Sequence, residues 1–263
     1  FIYKFLKMIL KKIYKFILIF LSFFSKKKIK KISVSTLYYI NLIIFNYKHK
    51  LKKIPIFQNK NSYEIIKINF TNDELKKIYS DLEKKNYIEK NFSFRYLLFS
   101  KNIKILNEVE MSWGFSRRYY VNLINKKIGD KIRSYYGNGN YRFEHFWMWK
   151  TPRLTMNVNS KFHVDNDMPG ALKILIYLND VDENGGPFAV KEIDEKIVKI
   201  TGNVGTAIIF NQNKCNHAGL KNLNNDRFVL VASMYPTLRK EIIYDDLKPI
   251  NSFCEINPFT KLS

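Results

Sequence analysis

Cysteine is nearly absent: the 263 residues include two, Cys215 and Cys254, in dissimilar surroundings. That excludes a disulfide framework and a zinc site built on paired cysteines, and it fits a reducing compartment. No glycine-rich phosphate loop and no G-x-S-x-G turn is present, which removes P-loop nucleotide hydrolysis and the serine-hydrolase elbow. No internal repeat or low-complexity linker divides the chain. Arginine is scarce, eight of 45 basic residues. The net charge of +22 therefore comes from lysine, accompanied by much Ile, Asn, Phe and Tyr, a pattern of nucleotide composition before it is a sign of any ligand. Near the N-terminus the apolar run Phe16 to Phe24 is nine residues long. A membrane-spanning helix needs about 20.

Lysine is concentrated in the first third. In "FIYKFLKMILKKIYKFILIFLSFFSKKKIKK", Lys4, Lys7, Lys11 and Lys15 recur at steps of three or four, one face of a helix. Residues 1–31 are expected to form a basic amphipathic segment that lies on an anionic membrane surface. The remainder, 32–263, reads as a single domain: a helical buttress at 32–137, a strand-rich core at 138–240 and an extension at 241–263. Within the buttress, "TNDELKKIYSDLEKK" opens with a capping signal, Thr71 or Asn72 ahead of Glu74. "SRRYYVNLINKKIGDKIRSYYG" has helical periodicity and stops at "YGNGN".

After that stop the pattern changes to period two and short apolar runs. "YRFEHFWMWK", "RLTMNVNSKF", "ALKILIYLN", "PFAVKEI", "EKIVKIT", "GTAIIF" and "RFVLVASMYP" are strand candidates, separated by turn clusters such as "NDMPG" and "NDVDENGGP". Helices precede the strands instead of alternating with them. The expected fold class is mainly β with N-terminal helices, a sandwich or jelly roll.

The chain has four histidines. His163 and Asp165 form an H-x-D at the end of a strand candidate, where residues i and i+2 face the same way. A buried imidazole or carboxylate needs a partner. His217 follows a later strand and a polar turn, and Arg227 comes ten residues after it, at the start of another strand. Two histidines and one carboxylate leave open positions on a metal, a donor set suited to Fe(II) oxygen chemistry. Arginine offers a planar fork for a carboxylate.

The stretch Tyr141 to Pro236, with "FHVDND", "LKILIYLNDVDENGGPFAV", "GTAIIF" and "NHAGLKN…R" in that order, resembles the Fe(II)/2-oxoglutarate-dependent dioxygenases, most of all the phytanoyl-CoA dioxygenase-like branch. The resemblance implies a double-stranded β-helix (jelly roll, cupin-like), Fe(II) bound by His163, Asp165 and His217, and 2-oxoglutarate held as cosubstrate by Arg227. It implies hydroxylation of a small metabolite, lipid or cell-envelope precursor, with O2 consumed and succinate and CO2 released. Asp165 supports hydroxylation, because halogenating relatives lack this carboxylate. Some relatives place Ser or Thr two residues after the arginine, and this chain has Val229. Tyr177 and Asn157 are expected to supply the missing hydrogen bond. Relatives that demethylate nucleic acid carry a second arginine six residues beyond the first. Ser233 stands there, so nucleic acid is not the expected partner.

Other residues invite weaker readings. His145 is a candidate for the pocket wall, Asp167 for a turn acid or a support of the ligands, and Trp147 and Trp149 for core packing ahead of substrate stacking. Two rival functions stand beside the main one. A metal-dependent lyase or isomerase without 2-oxoglutarate leaves Arg227 unexplained. A basic membrane-binding protein with an inactive barrel leaves the triad unexplained. The expected location is the cytoplasm, peripheral at the membrane.

Overall fold

The computed structural model describes residues 39–40, 42–49, 55–58, 60–83, 107–110, 115–151, 153, 161–165 and 167–238. The 1–31 segment, Asn157 and the 241–263 extension lie outside the described residues, as does most of the strand expected before His163.

Helix α1 (residues 42–48) buries Leu42, Ile44 and Phe45. Helix α2 (Asn72–Glu83) starts at the predicted cap. Thr71 N donates to Glu74 Oε2 at 2.7 Å, and Glu74 N donates to Thr71 Oγ1 at 3.2 Å, so two otherwise orphaned donors are satisfied reciprocally. Helix α3 (Phe115–Tyr135) ends where "YGNGN" predicts. Gly137 and Asn138 both take φ of 60°, and Asn138 N donates to Arg133 O at 2.9 Å, a closing turn that needs left-handed backbone.

The strands are β1 (Tyr63–Lys67), β2 (Asn107–Glu110), β3 (Tyr141–Thr151), β4 (Leu172–Tyr177), β5 (Phe188–Lys191), β6 (Ile197–Ile200), β7 (Thr206–Asn211), β8 (Asn216–Gly219) and β9 (Arg227–Pro236). They form two antiparallel sheets, ordered β1-β7-β4-β9-β3-β2 and β6-β5-β8. This is a jelly roll, as the sequence predicts. Two strands fall in the region read as mainly helical. Both β1 and β2 are short and sit at the edges of the larger sheet, and β1 leaves Ile65 exposed.

The larger sheet is covered on both faces, which is why its central strands read as nearly continuous apolar runs. On β4, Leu172, Ile174 and Ile176 face one core together with Tyr120, Ile124 and Ile132 of α3. Leu175 and Tyr177 face the other, against Phe188, Val190 and Ile200 of the smaller sheet. Strands β7 and β9 divide in the same way, Ala207 and Ile209 against Ile208 and Phe210, and Leu230 and Ala232 against Val229 and Val231. The helices thus close one side of the sheet, and the space between the sheets is left for a site.

A candidate metal and cosubstrate site

His217 lies on β8, a strand that the sequence presents as part of a polar turn. Its backbone pairs with His163: His163 N donates to His217 O at 3.0 Å, and His217 N donates to His163 O at 2.9 Å. The segment around His163 therefore continues the smaller sheet beyond β8. Both rings are fixed in the same manner. His163 Nδ1 lies 2.9 Å from Lys161 O, and His217 Nδ1 lies 3.0 Å from Cys215 O. A carbonyl only accepts, so each Nδ1 carries the proton and each Nε2 presents a lone pair.

Those lone pairs meet at Asp165. Its Oδ1 is 3.6 Å from His163 Nε2, and its Oδ2 is 3.8 Å from His217 Nε2. One ligand atom from each of the three residues lies within 4.8 Å of the others. These separations exceed hydrogen-bond length. They suit atoms arranged around a shared ion, since adjacent ligands about 2.1 Å from a metal are about 3.0 Å apart at right angles. Burial lowers the His217 pKa to about 4, although the Cys215 carbonyl and Asp165 oppose the shift. At neutral pH the imidazole is uncharged and able to ligate.

Beside His217 lies a partly open cavity, lined by Trp149, Lys173, Leu175, Phe188, Phe210, His217, Gly219, Arg227 and Val231. Arg227 is 3% exposed. One end of its guanidinium donates to Gly186 O, the other to Thr151 Oγ1 at 3.2 Å, and Nε has no partner. Burial lowers its pKa, and no acidic side chain pairs with it among the described residues. The neighbouring Asp226 instead accepts from Arg153 N at 3.0 Å. A buried guanidinium without a counter-anion is costly. This one is placed to receive an anion from the cavity.

Several other residues fall differently from the sequence reading. Tyr177 is fully buried, but its hydroxyl donates to Ile200 O at 2.6 Å and accepts from Phe188 N at 2.8 Å. A tyrosine has one proton to donate. In this arrangement Tyr177 clamps β4 to the smaller sheet, and a bond to a cosubstrate carboxylate would require surrender of the Ile200 bond. Burial raises its pKa to about 12. Val229 packs in the core between the sheets. Trp149 lines the cavity as well as the core, whereas the side chains of His145 and Trp147 lie outside the described residues.

Asp167 accepts from Tyr235 Oη and from Met168 N, and it is not among the convergent ligand atoms. Two residues of the site escaped the sequence reading. Lys173 reaches into the cavity and pairs with Asp165 Oδ2 at 2.5 Å. Asn213 ties the two ligand-bearing loops together, accepting from Asp167 N at 2.8 Å and donating to Met168 O at 3.1 Å.

No family model matches the sequence, and no curated protein does. Solved structures do. EctD from S. alaskensis, crystallised with 2-oxoglutarate and 5-hydroxyectoine, matches with a TM-score of 0.51 at 14% identity, over 70% of this chain and 78% of its own. HygX from Streptomyces hygroscopicus with nickel and 2-oxoglutarate matches at 0.48 and 12% identity, over 75% and 87%. The viral collagen prolyl hydroxylase from Paramecium Bursaria Chlorella virus-1 matches at 0.48 and 17%, over 66% and 95%. At such identities the likeness is one of fold.

Proposed function

We propose that the chain is an Fe(II)- and 2-oxoglutarate-dependent oxygenase that hydroxylates a small organic molecule. One observation carries the reading: a His-Asp-His cluster whose His217 lines the same cavity as a buried arginine, and that arginine has no acidic partner among the described residues. The residues fit both groups. Two imidazoles and a carboxylate suit Fe(II) and leave positions open, and the orphaned Nε of Arg227 suits the distal carboxylate of a keto acid. When bound, iron and 2-oxoglutarate supply O2 activation, with release of succinate and CO2.

The chain's own part is positioning and exclusion of water. His163 and His217 are held in one tautomer by backbone carbonyls. Arg227 is held by Gly186 O and Thr151 Oγ1. Leu175, Phe188, Phe210 and Val231 make the walls apolar. Arg227 rather than Tyr177 serves as the cosubstrate anchor, and Asn157 remains a candidate for a second contact. The substrate is a metabolite, lipid or cell-envelope precursor, in keeping with the sequence resemblance to the phytanoyl-CoA dioxygenase-like branch. The protein acts in the cytoplasm, with residues 1–31 bringing it to an anionic membrane surface.

The test is calorimetric titration of 2-oxoglutarate into the Fe(II)-loaded protein without oxygen, followed by succinate release across a metabolite panel. Binding that depends on the metal is expected. No binding of 2-oxoglutarate to the metal-loaded protein overturns the reading.

A further inference from the structure

Lys173 stands on β4 with its ammonium 2.5 Å from Asp165 Oδ2, the carboxylate oxygen that also faces His217 Nε2. Its side chain is 16% exposed, and that of Asp165 is 22% exposed. The ammonium is thus on the same carboxylate that an ion between the histidines would need. A dication and an ammonium sharing one carboxylate repel each other strongly away from bulk water. The lysine stem is flexible, and the ammonium already lies 6.0 Å from the Phe210 ring centroid, inside the cavity.

Charge decides where it goes. Among the described residues no acid lines the cavity, and Asp165 is the one carboxylate in the metal cluster. A divalent ion, Arg227, Lys173 and Asp165 together carry +3. A dianionic ligand leaves +1, so the lysine released from Asp165 has an anion to meet only at the ligand.

We infer that Lys173 is a counter-cation that Asp165 exchanges for the metal, and that the freed ammonium then grips the carboxylate of a ligand bound at that metal. This rests on the oxygenase reading above and adds to it a lysine that takes part at both binding steps. The lysine weakens metal binding to the empty site and strengthens ligand binding to the loaded one.

The experiment compares wild type with Lys173→Met, which keeps the stem and removes the charge, and with Lys173→Arg, which keeps the charge. Co(II) alone is titrated first, and 2-oxoglutarate is then titrated into the Co(II)-loaded proteins. Lys173→Met should bind Co(II) about tenfold or more tightly and 2-oxoglutarate about tenfold or more weakly, and Lys173→Arg should stay close to wild type in both. Unchanged or weaker Co(II) binding by Lys173→Met overturns the exchange, and unchanged 2-oxoglutarate affinity overturns the grip. If Lys173→Met does not fold, Lys173→Gln carries the same two comparisons. Wild type that binds Co(II) but not 2-oxoglutarate overturns the oxygenase reading and the grip together, while the Co(II) comparison still decides the exchange.

Discussion

His163→Ala removes one of the two imidazoles whose Nε2 faces Asp165. The expected outcome is loss of Co(II) or Fe(II) retention with the thermal melting of the metal-free protein little changed, read by metal analysis after desalting. Arg227→Lys keeps the charge and loses the fork that spans Gly186 O and Thr151 Oγ1. It should weaken 2-oxoglutarate binding about tenfold or more, with metal affinity retained; a charged hydrogen bond is worth about 1.5–3 kcal/mol. His217 sets a pH dependence. Its folded pKa is about 4, against an ordinary 6.5. Between these values the unfolded chain binds the proton and the folded chain does not, so the contribution of His217 to stability is complete above pH 6.5 and is lost as pH falls toward 4. Urea midpoints of the metal-free protein at pH 7.5, 6 and 4.5 should fall in that order, and a His217→Gln variant should show a flatter profile.

At the scale of the element, β4 shows how far a pattern can be read. "LKILIY" looks like a buried strand, and it is one. Its period of two puts Lys173, Leu175 and Tyr177 on the face toward the smaller sheet. Tyr177 was legible as an inward residue. Lys173 has the same parity but gives no such signal, because a lysine in an apolar run is ordinarily a solvated one. The H-x-D and the later histidine were legible because their chemistry is rare and ordered. Strand β8 was not, since its four residues, "NHAG", carry no apolar alternation and are made a strand by β5 and by His163. Strands β1 and β2 were hidden for a similar reason, as edge strands draw stability from one neighbour and need little pattern of their own. The Tyr177 brace is testable. Tyr177→Phe strips partners from the buried Phe188 N and Ile200 O. The expected cost is about 1–3 kcal/mol, a fall in melting temperature of about 2–4 °C for each kcal/mol.

The whole molecule carries +22, and much of the excess lies ahead of the described strands. Among the described residues no helix is long and apolar enough to cross a membrane. Removal of residues 1–31 takes away none of the site residues. The shortened protein should bind Co(II) as before and lose sedimentation with phosphatidylserine vesicles. The full chain should lose that sedimentation at high salt, because surface attraction is screened. Equal sedimentation of the two forms would sink the membrane reading. Metal should also act on the whole fold, since it joins segments on either side of β4 to β7. At a free Co(II) concentration 100 times its Kd, the gain is about 2.7 kcal/mol, visible as a rise in melting temperature that a chelator reverses.

The paired backbones of His163 and His217 have one more consequence. Two mutual hydrogen bonds make this a close-bonded antiparallel pair, whose Cα atoms stand about 5.5 Å apart in any sheet. The two histidine side chains thus start from a spacing that the peptide groups set and that no change of neighbouring side chain alters. Their own torsions are what remains to take up a difference in ion size.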